Sequence, residues 1–121
     1  MKTAITSIKL QKKLHHKLQL TVVNDQYGMR GKNKWILEAI ESFLALPDYP
    51  NLVDIANCSD QLTDMISLRF PELLMRKLDE AVIHVRRQYP GMEGVKSNLI
   101  RASIIQRMIR GATSVTEQDC N

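Results

Sequence analysis

Two tripeptides, Ser7-Ile8-Lys9 and Ser67-Leu68-Arg69, carry side chains suited to binding chemistry. A serine hydroxyl donates and accepts, an ammonium only donates, and a guanidinium presents a planar fork of donors. Around each tripeptide the residues alternate. From Met65 to Phe70, Ile66, Leu68 and Phe70 fall on one face and Met65, Ser67 and Arg69 on the other. That pattern predicts a short strand with one buried side. Ile5 to Leu10 repeats it, with Thr6, Ile8 and Leu10 inward and Ile5, Ser7 and Lys9 outward. A strand with a wet face alternates in the same way whatever it does, so the repetition carries the weight. Two further clusters, Lys32-Asn33-Lys34 and Lys96-Ser97-Asn98, open apolar-periodic segments. Asn33 and Ser97 read as helix N-caps. Free amide groups and the helix dipole at such an end also suit an anion.

Catalytic patterns are missing. His15-His16 has no second histidine at four-residue spacing, and His84 has no acidic or cysteine partner in a motif. Neither C-x₂-C nor H-x₃-H spacing occurs, which argues against zinc. The G-x-x-G turns are too short for a phosphate-cradling loop and lack its Lys-Ser/Thr ending. No signature sets a base beside a serine or cysteine. Neither enzymatic activity nor a metal or cofactor is expected. Trp35, at the start of a helical segment, reads as core packing against the linker. Cys58 and Cys120 form no disulfide framework and read as free thiols.

Charge is segregated along the 121 residues. Residues 1–34 hold eight Lys/Arg and one Asp, residues 35–64 hold six acidic and no basic side chains, and residues 65–121 hold nine basic and six acidic. The formal charge of +4 therefore understates the local positive field, which draws polyanions. Lys12, Lys13, Lys17, Arg86 and Arg87 read as solvated helix faces. No stretch approaches the roughly 18 apolar residues of a membrane span, and the N-terminus has no long apolar run, so the expected compartment is the cytoplasm.

The elements that must hold these side chains come in two copies. Lys17-Leu18 aligns with Lys77-Leu78, Val22-Val23 with Val82-Ile83, and Gln26-Tyr27 with Gln88-Tyr89. Gly28-Met29-Arg30-Gly31 meets Gly91-Met92-Glu93-Gly94, and Lys32 to Ile36 meets Lys96 to Ile100. Each copy reads as strand, helix, turn and helix. Pro71 suits a helix's first turn, and Leu74, Leu78, Ala81, Val82 and Val85 line one face of that helix. Leu14, Leu18, Thr21 and Val22 match them in the first copy. Lys17 to Val23 also alternates as a strand does, but the alignment with the second copy favours a helix. The glycine pairs read as helix ends. The second helices bury Ile36, Ile40 and Leu44, or Ile100, Ile104 and Met108. The expected units are 4–46 and 65–110, joined by a linker at 47–64 and followed by a frayed, flexible tail at 111–121.

At Ile66-Ser67-Leu68-Arg69-Phe70-Pro71, and at Ser97-Asn98-Leu99-Ile100-Arg101, the second copy resembles the ribbon-helix-helix superfamily of the Arc and MetJ repressor type. The first copy departs from that pattern, with Leu37 and Glu38 where the second has Arg101 and Ala102. Two copies in one chain are similar to the tandem arrangement of the TraY proteins of conjugative plasmids. The resemblance implies a mainly α fold with a short two-stranded antiparallel β-ribbon, formed as an intramolecular pseudo-dimer. It implies double-stranded DNA as partner, with the ribbon in the major groove. Base readout then falls to Ile5, Ser7, Lys9, Met65, Ser67 and Arg69, and phosphate binding to Lys32, Asn33, Lys34, Lys96, Ser97 and Asn98. Arg69 is the best suited to a bidentate contact with guanine. Two unlike strands imply a non-palindromic site. The implied role is transcriptional regulation, as a repressor for instance, or relaxosome accessory work at a plasmid transfer origin. Further copies along the DNA, and a relaxase or another transfer protein, are the other implied partners. Two rivals remain at this point: a protein-protein module of antitoxin or adaptor type, and an RNA binder.

Overall fold

The computed structural model describes residues 3–28, 31–53 and 61–119, with side-chain surroundings defined through Arg110. The elements are β1 (Thr3–Gln11), α1 (Lys12–Asn24), α2 (Lys32–Leu44), α3 (Tyr49–Leu52), β2 (Leu62–Pro71), α4 (Glu72–Gln88) and α5 (Val95–Asp119). The protein is mainly helical, and its one described sheet is an antiparallel pair of β1 and β2. No described helix is long and apolar enough to cross a membrane.

The register sets Ser7 opposite Ser67, Ile5 opposite Arg69 and Lys9 opposite Met65. Alternation sends Ile8, Leu10, Ile66, Leu68 and Phe70 to the buried face. A two-stranded sheet cannot cover its own apolar side, and here helices do so. Leu18 and Val22 of α1, and Leu74, Leu78, Ala81 and Val85 of α4, bury the faces that their 3.6-residue spacing defines. Residues 17–23 are thus helical, not a third strand. Trp35, Ile36, Ala39, Ile40 and Phe43 of α2 and Leu99, Ile100, Ala102 and Ile104 of α5 complete one continuous core. Burying the eight large side chains among these last nine and Phe70 is worth roughly 1.5–3 kcal/mol per Leu, Ile or Phe before entropy is counted.

Several boundaries differ from the sequence reading. Both strands are longer than six residues, because polar residues at their ends pair in the ladder without adding to the hydrophobic pattern. The expected linker 47–64 loses its last three positions to β2 and contains α3, whose Pro50 sits in the first turn, where a missing N–H costs nothing. Residues 54–60 of that linker lie outside the described residues. Helix α5 runs on to Asp119 where a frayed tail was expected from 111. Asn33 and Ser97 are not N-caps. Helix α2 is capped by Gly31, without a side-chain bond, and α5 opens at Val95, with the Gly94 carbonyl accepting from the Asn98 N–H. A side chain at Gly31 would come within 2.2 Å of the Tyr27 carbonyl, so glycine is required there by close approach. Nor does a glycine end α1. Gln26 takes the left-handed conformation at φ 67°, and its N–H and that of Tyr27 bond the Val23 and Val22 carbonyls.

Candidate nucleic-acid interface

The outer face of the ribbon is built by strand pairing alone. Ile5, Ser7, Lys9, Met65, Ser67 and Arg69 are all exposed there. Ile5 and Met65 are 67% and 62% accessible. At the centre the Ser7 and Ser67 hydroxyls lie 3.4 Å apart. Lys9 and Arg69 stand on opposite sides of this pair, each across from an apolar residue. Neither is among the ion pairs of the described residues.

The first turns of α2 and α5 flank the ribbon at its two ends. The Asn33 side chain of α2 donates from Nδ2 to the Arg69 carbonyl (3.1 Å) and accepts at Oδ1 from the Arg69 N–H (2.8 Å). At the other end Arg101 of α5 donates from Nη1 to the Lys9 carbonyl (2.8 Å) and from Nη2 to Asn98 Oδ1 (2.7 Å). Each second helix therefore holds the strand from the other half of the chain. Because Asn33 occupies both backbone groups of Arg69, those groups face away from β1. By alternation, the Ser7–Ser67 pair then also lacks mutual backbone bonds, and in such pairs side chains approach most closely.

Of the six residues expected to bind phosphate, several have other partners. Lys32 Nζ lies 3.3 Å from His15 Nε2, and His15 Nδ1 lies 2.8 Å from Asp64 Oδ2. Lys96 Nζ lies 3.4 Å from Asp79 Oδ1. Asn33 is engaged with Arg69, and Asn98 donates to the Glu93 carbonyl (3.2 Å) while accepting from Arg101. Ser97 is half-buried and Lys34 is exposed. The backbone amides opening α2 have no side-chain cap.

Two arginines matter more than their sequence positions suggest. Arg101 is 7% exposed, and burial pushes its pKa below the usual arginine value. Its place in the Ser-Asn-Leu-Ile-Arg segment was the available signal. Arg107 lies 4.5 Å from the Trp35 ring centroid and 5.4 Å from that of Tyr27. It also donates to the Trp35 carbonyl (2.7 Å) and the Tyr27 hydroxyl (3.0 Å) and pairs with Glu38 (3.5 Å). Trp35 is buried as expected, but its indole N–H goes to Asp25 (2.7 Å).

No protein-family model, curated protein or solved structure matches the chain.

Proposed function

We propose that this chain is a sequence-specific double-stranded DNA-binding protein of tandem ribbon-helix-helix architecture, whose two halves pair as an intramolecular pseudo-dimer. The observation that carries the reading is the outer ribbon face, where Ser7, Lys9, Ser67 and Arg69 project together and no part of the described chain covers them. The Lys9 and Arg69 levels are four residues apart along the ribbon, about 13 Å at the usual strand rise. That distance spans about four base pairs at 3.4 Å each. Arg69 suits bidentate donation to guanine, Lys9 a less directional contact, and the serines tolerate several bases. Ile5 and Met65 suit thymine methyl groups.

The α2 and α5 N-termini flank the ribbon where backbone phosphates would run, and the uncapped amides of α2 beside Lys34 favour such a contact. Because Lys9 and Arg69 are different donors at equivalent positions, the preferred site is non-palindromic. The role is that of a cytoplasmic transcriptional regulator or a transfer-origin accessory factor, with further copies along the DNA and a relaxase as candidate partners.

The test begins with selection of bound duplexes from a random pool, followed by gel shifts of the double variant Lys9→Ala/Arg69→Ala. Loss of a bidentate contact and a second charged one should weaken binding to the selected site by about a hundredfold or more. Undiminished affinity at moderate salt would refute ribbon readout. Failure to enrich any duplex motif would favour a protein-interaction module, and preference for a matched RNA hairpin would favour an RNA binder.

A further inference from the structure

Among the described residues, the two most suggestive base-reading side chains, Lys9 and Arg69, share a feature that their neighbours do not show. Each has its backbone held by a side chain from the second helix of the other half. Asn33 answers the Arg69 N–H and C=O together, as a third strand would, and fixes that residue's rotation about the strand axis. Arg101 answers the Lys9 carbonyl while its second nitrogen is anchored on Asn98, in its own first turn. Edge groups of a two-stranded ribbon are otherwise left to water. Among the described residues, a polar anchor stands only beside the two outward-facing cations. The anchors also differ, an amide at one end and a buried guanidinium at the other, although the halves repeat.

We propose that Asn33 and Arg101 are positioning residues that set the aim of the Arg69 and Lys9 side chains, and thereby the sequence discrimination of the ribbon. The role rests on the DNA-binding reading above. A long side chain on an unrestrained strand end sweeps a wide arc, and a bidentate base contact tolerates little misalignment. The same anchors tie each strand end to a helix N-terminus, so a phosphate seated on the helix and a base met by the ribbon are held at one spacing. A cation whose backbone is loosened still attracts phosphates, so its general affinity for DNA survives while its choice of base does not.

The experiment compares a selected duplex with a scrambled one of equal length, for the wild-type chain, Asn33→Ala and Arg101→Lys. Arg101→Lys keeps the charge but cannot span Lys9 and Asn98 with one planar fork. Each variant should lower the ratio of specific to non-specific affinity about tenfold. Affinity for the scrambled duplex and the salt dependence should stay as in the wild type. A ratio that is unchanged, whether both affinities hold or both fall together, overturns the positioning role while leaving DNA binding intact. A purely structural role would produce the joint fall. Amide exchange without DNA reads the anchor separately. Exchange at the Arg69 N–H should be fast in Asn33→Ala and slow in Asn33→Asp, which keeps the acceptor. A wild-type chain that enriches no sequence overturns both the proposed function and the positioning role. Exchange at Arg69 then still reports whether the anchor forms, so the two failures are distinguishable.

Discussion

Asp64, His15 and Lys32 form a chain of contacts from the start of β2 through α1 to the first turn of α2. The hydrogen bond from His15 holds the Asp64 carboxyl below the usual aspartate range. The Thr63 hydroxyl and the charges of His15 and Lys12 act in the same direction, and partial desolvation opposes them. A carboxylate with a depressed folded pKa adds stability that is fully present above its unfolded value, about 3.9, and is lost as pH falls through the lower folded value. Asp64→Asn should therefore make the decline of stability below about pH 4 shallower, as read from urea midpoints across that range. An identical slope would mean that the His15 contact does not persist in solution. At this scale the sequence told less than at any other. The exposed positions of the six ribbon residues follow from alternation alone. The anchoring roles of Asn33 and Arg101 do not, since their partners lie 36 and 92 positions away. Asn33 before an apolar run has the same local signature whether it caps a helix or reaches across to a strand.

Among the elements, periodicity located every long helix and both strands, while end chemistry misplaced their limits. Helix α1 shows why. Its left-handed residue is Gln26, although a glycine stands two positions later. Placing a side chain in that conformation costs roughly 1–2 kcal/mol relative to glycine. Gln26→Gly should accordingly raise stability by about 1 kcal/mol, after the added freedom of the unfolded chain is subtracted, and raise the thermal midpoint by several degrees. The joint between α2 and α5 depends on Arg107, to which no motif or spacing in the sequence assigns a role. Its guanidinium lies over two rings and bonds a carbonyl and a hydroxyl, and its removal would leave Tyr27 and Glu38 with only each other. Arg107→Met should lower unfolding free energy by about 1–3 kcal/mol in urea titrations. Arg107→Lys should recover little, since an ammonium lacks the planar face that stacks on Trp35.

For the molecule as a whole, the internal repeat and the strand–helix–helix order of each half were legible because they are properties of linear pattern. The crossed anchoring and the α2–α5 joint were not, because they exist only once the halves meet. Both halves belong to one chain, so their association is intramolecular. The thermal midpoint should not change when protein concentration is varied a hundredfold, whereas a module assembled from two chains would lose stability on dilution. Calorimetry at the two ends of that range decides it. The pairing of β1 with β2 also has a cost that a hairpin avoids. Residues 12–61 separate the two strands, so the ribbon closes a loop of fifty residues, and its contacts are among the most distant in the sequence. On a ribosome adding roughly 5–20 residues per second, β1 waits about 3–12 s for its partner to be made. Throughout that interval an alternating strand with Ile8 and Leu10 on one side is available to the wrong neighbour, and crowded synthesis is where this chain is most exposed to misassembly.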